Sequence, residues 1–137
     1  MILIIDDDKV LSKHAQILLE NTGRFQVKVV NSAIDGLEEI FRERPEAVLL
    51  DIMMPVCDGI TLLGMIRQSE SLKDLPVIMY SSENSVEIVK KIAKYKPNGY
   101  VIKPVESNLL ADVIDCAVGN KGKVQTVSTS QLMAKLY

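Results

Sequence analysis

Five short strand-like runs alternate with helix-length stretches along this chain, and four of the runs end on a polar residue. MILII leads into Asp6 and Asp7, AVLL into Asp51, VIMY into Ser81 and YVI into Lys103. The rhythm predicts an α/β fold, because parallel strands cannot be joined by a tight turn and need a crossover of helical length. Strands are expected at 2–6, 26–31, 47–51, 76–81 and 99–103. ILII, AVLL and PVIMY are continuous apolar runs, as required where helices cover both faces of a sheet, whereas QVKVVN alternates and suits an edge. The C-terminal ends of parallel strands share one rim, so these distant polar residues are expected to form one acidic pocket with a single lysine.

The intervening stretches carry apolar residues at helical spacing. The first places Leu11, Ala15, Leu18 and Leu19 on one stripe, with acids at its opening and Gly23 positioned to stop it. The second, 33–43, turns Leu37, Ile40 and Phe41 inward and ends before Pro45. The third, 59–69, carries Leu62, Leu63 and Ile66. The fourth, 85–96, carries Val86, Val89, Ile92 and Ala93, with Lys90, Lys91, Lys94 and Lys96 on its remainder. The fifth, 106–118, repeats the pattern at Leu109, Leu110, Val113, Ile114 and Ala117. From Gly119 the composition shifts to GNKGKVQTVSTSQ, so one domain over 1–118 and a flexible C-terminal tail or linker over 119–137 are expected. Leu132, Met133, Leu136 and Tyr137 regain helical spacing, which leaves both a short docking helix and a frayed terminus open.

Composition removes several function classes. With 16 basic against 18 acidic residues, the net charge of −2 exerts no general pull toward nucleic acid or anionic membrane. Cys57 and Cys116 are too few for a disulfide framework or a four-ligand metal site, and both read as reduced thiols, Cys57 serving packing. MILII reaches Asp6 after five residues with no basic segment before it, unlike a signal peptide or an anchor. A cytoplasmic location is the expectation.

Mg²⁺ prefers octahedral oxygen coordination and is usually held by one or two carboxylates with waters and a substrate phosphate. Asp7 and Asp51 suit that role, with Asp6 orienting a metal-bound water and the backbone carbonyl of Met53 completing the protein ligands. Asp51 is the expected nucleophile, since it ends a buried strand and opens a turn-rich loop, DIMMPVCDG, that leaves its side chain at the rim. A carboxylate that accepts a phosphoryl group becomes an acyl phosphate, and that transfer needs charge neutralisation on the equatorial oxygens, for which a hard cation and Lys103 are suited. Ser81 would offer a hydroxyl nearby. Bland roles exist for each residue: Asp8 reads as a helix cap, Asp6 and Asp7 taken alone could also cap, and an Asp before a Pro-containing loop is often a turn residue. The coincidence of four strand ends favours the site.

ILIIDDD, LLDIMMPVCDG, LPVIMYSSE and GYVIKP together resemble the receiver domain of two-component response regulators, including the stand-alone chemotaxis type, over about residues 1–118. The resemblance implies a doubly wound (βα)5, flavodoxin-like three-layer fold with strand order 2-1-3-4-5. It also implies Asp6 and Asp7 as the acidic metal-binding pair for Mg²⁺ or another divalent cation such as Mn²⁺, and Asp51 as phosphoacceptor. Lys103 would bond the phosphoryl oxygen, and Ser81 and Tyr100 would form the switch. Pro104 matches the proline whose preceding peptide is cis in that family. The partners implied are a sensor histidine kinase or phosphotransfer protein and a downstream protein target reached through the fourth helix, fifth strand and fifth helix. Nucleic acid and membrane are not expected to be bound directly. Such a chain is a signalling switch that catalyses only its own phosphorylation and dephosphorylation.

Departures from the family pattern are modest. The fourth-strand hydroxyl is Ser81 rather than the commoner Thr, and Ser82 follows where Ala is frequent and could share its role. Met53 and Glu83 occupy the positions that flank the phosphoryl group in relatives and tune its lifetime. His14, the only histidine, reads as a partly exposed helix residue. A haloacid-dehalogenase-like phosphatase would need a second acid two residues after Asp51, where Met53 stands. A nucleotide or flavin module would need a glycine-rich phosphate loop after the first strand, where DDD stands instead. A receiver-like scaffold regulated without phosphorylation is the remaining alternative.

Overall fold

Ile2, Leu3, Ile4 and Ile5 are all fully buried, yet they alternate between two cores on opposite faces of one sheet. The computed structural model of the chain describes residues 1–82, 85–103 and 106–119; Glu83, Pro104 and the segment 120–137 lie outside them. The elements run β1 (Ile2–Ile5), α1 (Lys9–Asn21), β2 (Val27–Val30), α2 (Ala33–Arg42), β3 (Ala47–Leu50), α3 (Gly59–Gln68), β4 (Val77–Ser81), α4 (Val86–Ala93), β5 (Gly99–Ile102) and α5 (Ser107–Gly119). All strand pairs are parallel and the order is β2-β1-β3-β4-β5, the flavodoxin-like arrangement expected. Leu3, Ile5, Val48, Leu50, Val77 and Met79 face α2, α3 and α4, whereas Ile2, Ile4, Leu49, Ile78 and Val101 face α1 and α5. Each such aliphatic side chain contributes about 1.5–3 kcal/mol by leaving water, so central strands apolar on both sides hold the three layers together.

Helix starts are set by capping side chains. Asp8, Ser32, Asp58 and Ser85 each accept a backbone N–H in the first turn of the helix that follows. Asp8 is therefore a cap, as its sequence position suggested. α1 stops at the Thr22 cap, after which Gly23 takes φ 75° and returns its amide to the Glu20 carbonyl.

Three side chains read as core are not. Phe41 is 65% exposed, because it lies one step of about 100° around α2 from the buried Ile40. Leu11 is 49% exposed, in the first turn of α1 at the rim where it borders an open cleft. Ala93 faces solvent at the end of α4, and α4 itself ends three residues early, with Lys94 as its cap and Lys96 beyond it at φ 52°. The expected docking segment around Leu132, Met133, Leu136 and Tyr137 lies outside the described residues. Among the described residues no helix is long and apolar enough to cross a membrane.

Candidate functional site

Sheet register assembles the site. Ile5 pairs with Leu50, and the ladder continues one step as the Asp51 amide donates to the Ile5 carbonyl at 3.0 Å, so Asp6 and Asp51 emerge side by side at the C-terminal rim. Ser81 pairs with Ile102, and the Lys103 amide donates to the Ser81 carbonyl at 2.9 Å, which brings Lys103 to the same rim. Asn31 Nδ2 donates to the Asp6 carbonyl at 2.7 Å and ties down the other flank.

The three carboxylates then meet. Asp6, Asp7 and Asp51 each present an oxygen, all within 4.8 Å of one another. Asp6 is only 1% exposed and Asp51 8%, whereas Asp7 faces solvent. Both Asp6 oxygens are engaged: Oδ1 accepts the Asp8 amide at 2.9 Å and Oδ2 accepts from Lys103 Nζ at 3.0 Å. Lys103 Nζ stays 3.9 Å from Asp51 Oδ1. Burial pushes the Asp51 carboxyl up to about 6; Lys103 and the Met53 amide oppose that rise, while neighbouring Asp6 adds to it. A set of hard carboxylate oxygens with one exposed member fits Mg²⁺, which favours few carboxylates and retained waters.

Other residues picked out from the sequence fall into place around this cluster. Ser81 is fully buried, and Tyr100 is buried in the same core cluster as Val89 and Ile92 of α4. Ser82 is exposed and lines the cleft together with Asp7, Asp51, Met53 and Lys103. His14 is exposed on the α1 wall of that cleft. Cys57 packs against the core from the loop after Asp51, in keeping with a packing role. Glu83 and Pro104 lie outside the described residues.

Three contributors had escaped notice. Asn31 obeys the same rule that picks out Asp51, a polar residue closing a strand. Gly59 opens α3 so close to β3 that an added Cβ would run into the Asp51 carbonyl oxygen, so only glycine lets the acceptor loop fold back. Tyr80 presents its ring to Lys103, with Nζ 4.7 Å from the centroid. Burial, with Asp6 and Asp51 nearby, raises the Tyr80 hydroxyl pKa further above its ordinary range.

A family model described as "Response regulator receiver domain" matches residues 2–115. The chain belongs to that family. Among receiver-containing relatives it is 32% identical to chemotaxis protein CheY-3 of Vibrio cholerae over 114 residues, covering 83% of this chain and 88% of CheY-3. It is 34% identical to the transcriptional regulatory protein CseB of Streptomyces coelicolor over 110 residues, covering 80% of this chain and 45% of CseB. The chain thus spans less than half the length of CseB, and 16% of the sensor kinase/phosphatase CqsS of Vibrio cholerae. Among solved receiver structures, a CheY-like receiver domain protein from Methanospirillum hungatei superposes with TM-score 0.77 at 27% identity, covering 86% of this chain and 92% of that one. The receiver domain of sensor histidine kinase PA1611 from Pseudomonas aeruginosa, solved with magnesium coordinated in its active site cleft, superposes with TM-score 0.78 at 24% identity, covering 87% and 97%.

Proposed function

We propose that this chain accepts a phosphoryl group on Asp51 from a sensor histidine kinase or phosphotransfer protein, in a reaction dependent on Mg²⁺ or another divalent cation such as Mn²⁺. A carboxylate oxygen of Asp51 forms a bond to phosphorus, the bond from phosphorus to the donor's histidine nitrogen breaks, and its electron pair leaves with the imidazole. The product is an acyl phosphate. The observation that carries this reading is the position of Asp51 within a few ångströms of two further carboxylates and one lysine, buried yet bordering an open cleft.

In this reading Asp6, Asp7, Asp51 and the Met53 carbonyl hold the cation, which when bound supplies positive charge for the phosphoryl oxygens. Asp6 is a positioning carboxylate, fixed through both oxygens by Asp8 and Lys103. Lys103 carries the second positive charge at the site, close enough to Asp51 to bond a phosphoryl oxygen attached there. Magnesium in the active site cleft of the PA1611 receiver supports the assignment of the cation.

Ser81 and Tyr100 form the switch. Ser81 ends β4 beside Ile102, two residues from Tyr100 along β5, and Tyr100 packs in the core cluster with α4. Phosphorylation thereby biases the surface of α4, β5 and α5 toward a downstream protein. Reversing a 1:99 population takes about 5.5 kcal/mol of differential stabilisation, so partner binding is expected to complete a partial shift. Residues 1–118 act as the receiver domain and 119–137 as a separate tail or linker. The chain works in the cytoplasm as a switch and binds neither nucleic acid nor membrane itself. Intact-mass analysis after incubation with a small phosphodonor and Mg²⁺ tests the reading: one phosphoryl adduct on the wild type and none on Asp51→Asn is expected, and equal adducts would defeat it.

A further inference from the structure

Lys103 reaches the acid cluster on a flexible four-carbon stem, and such a side chain must be steered to hold one place. Its ammonium has carboxylates on one side, Asp6 at 3.0 Å and Asp51 at 3.9 Å. On another it has an aromatic face, the Tyr80 ring, whose centroid lies 4.7 Å from Nζ. That ring is partly buried on the α1/α5 side of the sheet and borders the cleft shared by Asp7, Asp51, Leu11, His14 and Lys103. Period-two alternation along β4 explains how one strand serves two purposes: Ser81 and Met79 turn away from the face on which Tyr80 stands.

From this we infer that Tyr80 is a positioning residue for Lys103, acting through the face of its ring and not through its hydroxyl. The negative face of the π-system attracts the ammonium and covers part of it from water. Asp6 alone would draw Lys103 toward the floor of the pocket, where Asp6 is almost wholly buried. The ring offers a second point of attachment, which keeps Nζ at the level of the cleft, where an incoming phosphoryl group meets Asp51. An aliphatic residue of similar size would fill the space but exert no such attraction.

This inference rests on the phosphotransfer reading above, and two measurements separate them. The first needs no phosphorylation: in the NMR spectrum the Lys103 ε-methylene protons should be shifted upfield by the Tyr80 ring current, the shift persisting in Tyr80→Phe and vanishing in Tyr80→Leu. An unshifted Lys103 in the wild type would overturn the inference while leaving the function of Asp51 intact. The second is the rate of adduct formation from a small phosphodonor with Mg²⁺. Tyr80→Leu and Tyr80→Met should each be slower by about fivefold, and Tyr80→Phe should restore the rate. Leucine and methionine variants as fast as wild type, or a phenylalanine variant as slow as they are, would overturn it. A wild type that takes no phosphoryl group would overturn the reading of Asp51, and this inference with it.

Discussion

Lys103 donates to Asp6 at 3.0 Å while remaining 3.9 Å from Asp51, so the lysine of the site is held by the more deeply buried of the two carboxylates. Removing one partner of a buried ion pair costs about 3–5 kcal/mol because the other charge is left unpaired. Lys103→Met should therefore lower the urea-unfolding free energy of the metal-free protein by about 3 kcal/mol. Adding Mg²⁺ should recover part of the loss by supplying the missing positive charge.

Asp51 titrates near pH 6, above its ordinary value, chiefly because it is buried. A carboxyl whose folded pKa is raised stabilises the fold fully below its unfolded pKa, about 4, and that contribution is lost as pH rises through the folded value. Asp51→Asn should thus be more stable than wild type at pH 7.5 without metal, by on the order of 2 kcal/mol after discounting for solvent screening of a carboxylate that borders the cleft. The gap should narrow as pH falls below 6 and close only below about pH 4. Protons and Mg²⁺ compete for the same oxygens, so Mg²⁺ affinity measured by calorimetry should weaken below pH 6.

Val56, in the loop after Asp51, has φ 69° and a fully exposed side chain. A β-branched residue in the left-handed region is strained and recovers no burial there. Val56→Gly should raise stability by about 1 kcal/mol, read from the urea midpoint.

Arg67 of α3 fastens the far edge of the same layer. Its guanidinium donates to the carbonyls of Lys73, Leu75, Tyr95 and Lys96 and to Asn98 Oδ1. Asn98 Oδ1 in turn accepts the Val77 amide at 2.9 Å, so the contact links α3, the start of β4 and the approach to β5. Lysine cannot reproduce a planar five-donor fork, and Arg67→Lys should cost about 2 kcal/mol of stability, chiefly through the part-buried contacts to the Leu75 carbonyl and Asn98 Oδ1.

The strands and the acid cluster were legible because fully buried parallel strands must be continuous apolar runs, and a parallel sheet sends every strand end to one rim. Asp6, Asp51 and Lys103 needed only that rule. Leu11 and Phe41 were misread because helical spacing defines a stripe, whereas the width of the stripe depends on which neighbours cover it. Among the described residues no element covers Leu11 at the mouth of the cleft, and the buried arc of α2 ends at Ile40. Tyr80 was hidden because alternation along β4 separates two faces without saying which one carries the lysine. Gly59 was hidden because its need for no Cβ arises from the return of the chain against Asp51, a tertiary contact.

An acyl phosphate is reduced by borohydride to the alcohol, which converts the modified aspartate to homoserine and marks it permanently. Wild-type protein treated with a small phosphodonor and Mg²⁺, reduced and mapped by peptide mass spectrometry should carry homoserine at position 51. Homoserine in place of Asp6 or Asp7, or protein-bound phosphate with no homoserine anywhere, would contradict the account.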